Sequence, residues 1–264
     1  MSYLSNAFSV LTLDAEDDKE QRMVASAAAK KDEDGAAIKS GNGKKKDKGP
    51  AKIRVSTNDI NAKQSLSSSS GECKLSLPLV WIDLEMTGLD VEVDRILEIA
   101  CVITDGRLNK LVEGPDLVIH QTKECLDNMG EWCRSHHAES GLTERVLQST
   151  TSEQNAEKQV MEFVEKHIGT YKPLLAGNSV YVDFSFLKKY MPDLAGLFSH
   201  ILVDVSSIKA LCIRWYPREN KKAPSKENKH RAMDDIKESI KELKYYKANI
   251  FKESKSGWQS QSTL

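Results

Sequence analysis

Trp81-Ile82-Asp83-Leu84-Glu85-Met86-Thr87-Gly88-Leu89 is the stretch on which the reading of this chain turns. Val80, Ile82 and Leu84 alternate with Trp81, Asp83 and Glu85, the period-2 pattern of a strand, and a Thr-Gly turn follows. Side chains two residues apart leave a strand on the same face. Asp83 and Glu85 therefore project together, roughly 6–7 Å apart along the strand. Two carboxylates side by side in a half-buried strand repel each other and cost desolvation energy. A divalent cation removes that cost, and Mg²⁺ or Mn²⁺ prefers such oxygen ligands. Alone, an Asp-x-Glu pair reads as acidic residues facing water, their usual place.

Two further acidic sites change the weight of that pair. Leu174 to Ala176 reads as a short buried strand and Gly177-Asn178-Ser179 as a turn. The spacing of Phe184, Leu187 and Tyr190-Met191 then predicts a helix ended by Pro192. Asp183 lies in its first turn, where the helix dipole favours a carboxylate whether or not it does chemistry. The last long helix opens at His230-Arg231-Ala232-Met233-Asp234-Asp235-Ile236, with Ala232, Ile236, Ser239-Ile240, Leu243, Tyr246 and Ile250 marking its inner face. On a helical wheel Asp234 lies nearly opposite that face, and Asp235 lies at its edge, where it can point into a site. His230 is expected before the first regular turn. A lone histidine there reads by itself as a cap or surface residue.

The order Asp-x-Glu, a distant Asp, then His-x-x-x-x-Asp resembles the DEDDh 3′–5′ exonucleases. The longer strings W-I-D-L-E-M-T-G-L, R-I-L-E-I-A, G-N-S-x-x-x-D-x-x-F-L-x-x-Y-M-P, D-V-S-S-I-K and H-R-A-M-D-D-I-x-E-S-I-x-E-L resemble the oligoribonuclease family, from about Leu77 to Phe251. Arg214-Trp215-Tyr216-Pro217 and the stretch from Tyr245-Tyr246 to Phe251-Lys252 look like its eukaryotic, plant-like members. The resemblance implies an α/β, ribonuclease-H-like fold: a five-stranded mixed sheet flanked by helices. It also implies hydrolysis of very short RNA, dinucleotides and slightly longer, to nucleoside 5′-monophosphates with two Mg²⁺ or Mn²⁺ ions. Asp83 would bridge the ions, Glu85 and Asp235 would complete one site, and Asp183 would support the other. His230 would be the general base, since imidazole titrates near working pH. Leu89 resembles the family's apolar wedge between two bases and Trp132 its stacking aromatic, although both residue types also suit core packing. His137, Ser179 and Ser206 match positions that cap the 5′ phosphate.

The chain departs from the family at His200-Ile201, where many members carry Tyr-Arg. There the Arg contacts the 5′ phosphate and the Tyr reaches it from a second protomer, so the resemblance implies a homodimer. Ile201 can neither donate a hydrogen bond nor neutralise charge. The cap is expected to be weaker, or rebuilt from Arg218, Lys221, Lys222, Lys226, Lys229 or Arg231, a stretch that otherwise reads as a solvated loop. Strict dinucleotide preference is thereby in doubt while catalysis is not. A broader exonuclease on short DNA or longer RNA tails shares the same catalytic set. An idle nucleic-acid-binding protein on this fold would be favoured by loss of a catalytic position, and all five are present.

Composition sets the outer limits. Of the 264 residues, 39% are hydrophobic and 29% charged, as in a globular protein with a polar extension. The formal net charge of −1 gives no global basic field to draw in long nucleic acid, which suits a short substrate held in a local pocket. Cys73, Cys101, Cys125, Cys133 and Cys212 are odd in number and lack C-x-x-C pairing. They read as reduced thiols of an intracellular protein, the cytoplasm foremost, with nucleus and mitochondrion open. No apolar run is long enough to span a membrane. Residues 1–74 are rich in Gly, Ser, Lys, Asp and Ala and cannot bury enough apolar surface to offset ordering entropy; they read as a disordered extension. Within it, the Phe8–Leu13 island beside Asp14, Glu16, Asp17 and Asp18 reads as a fortuitous cluster or a partner motif, and Lys44–Lys48 as a solvated charge run. The expected boundaries are a 1–74 extension, a 75–253 exonuclease domain and a 254–264 tail.

Overall fold

The computed structural model describes residues 75–170, 172–225 and 231–252. The expected extension over 1–74 with its Phe8–Leu13 island, Tyr171, Lys226, Lys229, His230 and the tail expected from 254 lie outside the described residues.

The fully buried strand β2 (Ile96–Thr104) lies between β1 (Leu79–Met86) and β3 (Leu111–Val118), antiparallel to both. On the other side of β1, β4 (Leu174–Gly177) and β5 (Leu202–Asp204) add in parallel, completing a five-stranded mixed sheet in the order β3-β2-β1-β4-β5. The expected fold class is therefore observed. Burial on both faces explains why Ile-Leu-Glu-Ile-Ala-Cys-Val-Ile-Thr reads as an apolar run with no alternation.

The alternation of β1 assigns its two faces to two cores. Val80, Ile82 and Leu84 pack with Ile99, Cys101 and Ile103 of β2. The long helix α4 (Glu153–Ile168) covers that side with Ala156, Val160, Val164 and Ile168 at helical spacing. Ser152 caps its first turn by accepting from the Asn155 amide, and Gly169 ends it at φ 66°. Trp81 turns the other way, joining Ala100, Val102 and Ala176 under Ala232, Ile236, Ile240, Leu243 and Tyr246 of the last helix, α9 (Ala232–Asn249). Asp83 and Glu85 share this second face with Trp81, so the helix that covers Trp81 also approaches the carboxylates.

Between β3 and α4 the chain forms three short helices, α1 (Lys123–Asp127), α2 (Glu131–Glu139) and α3 (Leu142–Gln148). These close a third cluster over Leu97. The helix expected over 182–191 is α5 (Tyr181–Tyr190). Pro192 does more than end it: proline suits the first position of a helix, and Pro192 opens a short α6 (Pro192–Gly196) whose free amides Asp193 and Leu194 donate to Glu157 of α4. The same device separates α7 (Val205–Trp215) from α8 (Pro217–Asn220). Cys101, Cys125, Cys133 and Cys212 are free, and no helix of the described residues is long and apolar enough to cross a membrane.

Candidate metal centre and active site

The ladder between β1 and β2 shifts register between Glu85 and Met86, a bulge that ends regular pairing where the acidic pair stands. From this strand end Asp83 and Glu85 face the first turn of α9, and that turn delivers Asp235. One carboxylate oxygen from each of Asp83, Glu85 and Asp235 lies within 4.8 Å of the other two. Asp234 is half-buried and is not one of the three. An all-carboxylate donor set at this spacing fits Mg²⁺ or Mn²⁺.

Asp183 approaches from the first turn of α5. It is buried, and its Oδ1 accepts the Leu84 amide at 2.9 Å, between the two acidic residues of β1. Burial pushes its carboxyl up to about 7, against the pull of the Leu84 amide and its own, with Asp204 adding repulsion. Glu85 is raised to about 8, first by burial and then by Asp235, Glu98 and Asp183, with the Arg231 charge opposing. Raised carboxyls of this kind bind a cation in exchange for protons.

The residues expected to grip substrate fall in two places. Leu89 is half-buried on the β1–β2 turn. That turn is fixed by Asp94, which accepts the Thr87 hydroxyl at 2.7 Å and the Asp90 amide at 2.8 Å. A Cβ on Gly88 would press on the Asp94 carboxyl, which would have to swing away and give up these two bonds. Trp132 packs against the third core cluster and stacks on His136 at 3.8 Å between ring centroids, so one of its faces is already covered. His137 is 2% exposed. Its Nε2 donates to the Met86 carbonyl at 2.8 Å, and its Nδ1 lies 3.9 Å from Glu85 Oε2. The geometry therefore sets His137 behind Glu85, not in an open phosphate pocket. On the far side of β1, Ser179 and Ser206 meet through their hydroxyls at 3.2 Å. Ser179 sits at φ 48°, with its amide donating to Asp204 and to Ser206 Oγ. His230 lies outside the described residues.

Three residues organise the site in ways the sequence reading did not assign: Asp204 and Glu98 had no role there, and Arg231, a candidate for the phosphate cap, is engaged elsewhere. Asp204 caps α7 and takes the Ser179 amide, joining the two turns that carry Ser179 and Ser206. Glu98, the one charged residue of β2, sits opposite Glu85 at 0% exposure. Arg231 pairs with Glu98. A charge inside the apolar run of β2 was the available signal for Glu98. Nothing local indicates its partner.

Replacing Asp83 or Asp235 with Asn is expected to abolish Mn²⁺ binding with the fold retained, since an amide is uncharged and a poor ligand. Asp234→Asn is expected to bind near the parental level; calorimetric Mn²⁺ titration of the three variants decides. The raised Glu85 and Asp183 predict that Mn²⁺ affinity climbs from about pH 6 to about pH 8 and that binding releases protons over that range. Titrations in buffers of different ionisation enthalpy read the release directly. The sign follows from linkage: the metal-free fold binds more protons than the unfolded chain between the ordinary and raised values. Its stability therefore falls as pH rises through that window.

The Exonuclease family matches residues 80–243. The chain is 65% identical over 205 residues to the oligoribonuclease of Arabidopsis thaliana, covering 74% of this chain and 92% of that one. It is 53% identical over 174 residues to the mitochondrial oligoribonuclease of Homo sapiens, covering 66% of this chain and 73% of that one. Among solved structures, exonuclease I of Methylocaldum szegediense superposes with a TM-score of 0.51 at 17% identity. That match covers 66% of this chain and 41% of the exonuclease I chain, so the likeness is one of fold, the ribonuclease-H-like sheet expected above. With that fold, these relatives and the carboxylate cluster together, the chain belongs to the oligoribonucleases of the exonuclease family.

Proposed function

We propose that this chain is a metal-dependent 3′–5′ exoribonuclease that degrades very short RNA, dinucleotides and slightly longer, to nucleoside 5′-monophosphates. The observation that carries the reading is the meeting of Asp83, Glu85 and Asp235 within 4.8 Å at the end of β1, in a chain of this family. Two divalent cations, Mg²⁺ or Mn²⁺, would when bound offset the negative charge that develops on the attacking and leaving oxygens of a phosphodiester. Asp83, Glu85 and Asp235 would hold them, and Asp183, anchored on the Leu84 amide, would support the second position. His230 takes the proton from the attacking water. The P–O3′ bond breaks, the upstream nucleotide keeps a 3′ hydroxyl, and the terminal nucleotide leaves as a 5′-monophosphate. Leu89 and Trp132 contact the bases, and a stacked base contributes about 1–3 kcal/mol. Ser179 and Ser206 hold the 5′ phosphate, with His137 bracing Glu85 beside it.

A second reading, broader action on short DNA or longer RNA tails, is favoured by Ile201, which is 54% exposed and has no polar side-chain atom for a terminal phosphate. The assembly we propose is a homodimer that uses the segment around His200, with Ile201 exposed beside it and Leu211, Trp215 and Tyr216 exposed along and just after α7. The free thiols support an intracellular, reducing compartment, the cytoplasm first.

Turnover of two-, three- and ten-nucleotide RNAs and DNAs at fixed Mg²⁺ tests the reading. RNA dinucleotides are expected to be cleaved fastest, and loss of His230 to slow them about 10²–10⁴-fold with metal binding kept. Equal rates on all lengths and on DNA establish the broader reading instead. Light scattering at micromolar concentration is expected to return twice the chain mass, and a fully active monomer overturns the dimer.

A further inference from the structure

Glu98 is the least expected residue of the core. A carboxylate with 0% exposure in β2 carries a heavy desolvation penalty, which only a well-placed cation offsets. Arg231 supplies two hydrogen bonds to it, Nη2 to Oε1 at 2.7 Å and Nε to Oε2 at 3.2 Å, the two-pronged geometry that fixes orientation as well as distance. Arg145 adds a second cation at 3.6 Å.

Both ends of this contact lead to the carboxylate trio. Glu98 is the register partner of Glu85 across the β1–β2 ladder. Arg231 immediately precedes α9 in an extended conformation, φ −133° and ψ 121°, and its carbonyl accepts the Asp235 amide at 3.0 Å. The contacts therefore close a circuit: Glu85 to Glu98 through the ladder, Glu98 to Arg231 through the ion pair, Arg231 to Asp235 through the first helical hydrogen bond, and Asp235 back to Glu85. Three sides of the circuit are fixed by hydrogen bonds. The fourth is the cation site, where crowding of acidic side chains disfavours holding Asp235 close to Asp83 and Glu85 in their ionised forms.

We propose that Glu98 and Arg231 are a positioning pair that holds Asp235 at cation-binding distance from Asp83 and Glu85 against their mutual repulsion. The inference rests on the reading of these three as a divalent-cation centre and adds what sets their spacing. An apolar contact at the same place would hold α9 to the sheet without fixing its rotation or its reach along the strand. A two-pronged ion pair fixes both. The Arg145 contact means that altering Arg231 does not strand Glu98 without a cation.

The test uses Arg231→Lys, which keeps the charge and loses the fork, with Arg231→Met, Glu98→Gln and the double variant Glu98→Gln/Arg231→Met. Mn²⁺ affinity without RNA is the primary readout, with thermal melting and the kcat and KM for a short RNA alongside. Arg231→Lys is expected to melt near the parent and to bind Mn²⁺ about 10–100-fold more weakly, the usual effect of removing a residue that orients a metal ligand. Its kcat should fall at limiting Mn²⁺ with KM little changed, and raised Mn²⁺ should restore it. The double variant should bind Mn²⁺ no more weakly than the worse single one, because both remove the same link. A folded Arg231→Lys with parental Mn²⁺ affinity overturns the proposal, as does a lower melting temperature with unchanged affinity, which leaves a pair that serves only the fold. Should Glu98→Gln fail to fold, Arg231→Lys alone carries the test. Parental inactivity on RNA, with the variant still weakened toward Mn²⁺, removes the exonuclease reading and leaves the positioning pair standing.

Discussion

Repulsion among carboxylates is the constraint on which this molecule is arranged. Asp83, Glu85 and Asp235 stand within 4.8 Å of one another, with Asp183 one peptide away and Glu98 across the ladder. Left ionised and unpaired, such a group would force the end of the sheet apart. The fold meets the strain in three ways. Glu98 is neutralised by arginine, Asp183 takes a backbone amide, and burial and its acidic neighbours raise the Glu85 carboxyl so that its charged form is disfavoured. The rest of the architecture supplies rigid platforms for these groups: a strand buried on both faces, a helix docked by its apolar stripe and a turn pinned by Asp94.

Much of that platform is written in local periodicity. The two-residue repeat of β1 put Asp83 and Glu85 on one face, and the helical wheel of the last helix separated Asp235 from Asp234. Both assignments use the same rule: a side chain's direction follows from its neighbours' burial. The short strand read at Leu174 to Ala176, ended by the Gly177-Asn178-Ser179 turn, appears as β4 where that signal stands.

The parts that were not legible depend on partners far along the chain. Glu98 and Arg231 are 133 residues apart, and nothing near either residue names the other. Asp204 caps α7, and its second contact, to the Ser179 amide, appears only when β4 and β5 pair. His137 lies on a helix whose inner face faces the end of β1, so its burial behind Glu85 is a tertiary fact with no periodic signature. Pro192 was read as a stop because proline breaks a helix it follows, and the competing fact that it suits the start of the next prevailed.

The division of β1 between two cores gives the molecule a mechanical asymmetry. On the α4 side, the packed side chains of β1 and α4 carry none of the three clustered carboxylates, and the site is reached there only through α5 and Asp183. On the α9 side, the same helix that seals Trp81 carries Asp235, and a slide of one residue along its axis moves that carboxylate by about 1.5 Å, a sizeable fraction of a metal–oxygen bond. Tolerance to change should therefore differ between the two layers of an otherwise evenly buried sheet. The α9 layer behaves as a gauge block whose thickness is set by Ala232, Ile236 and Ile240, the α4 layer as padding.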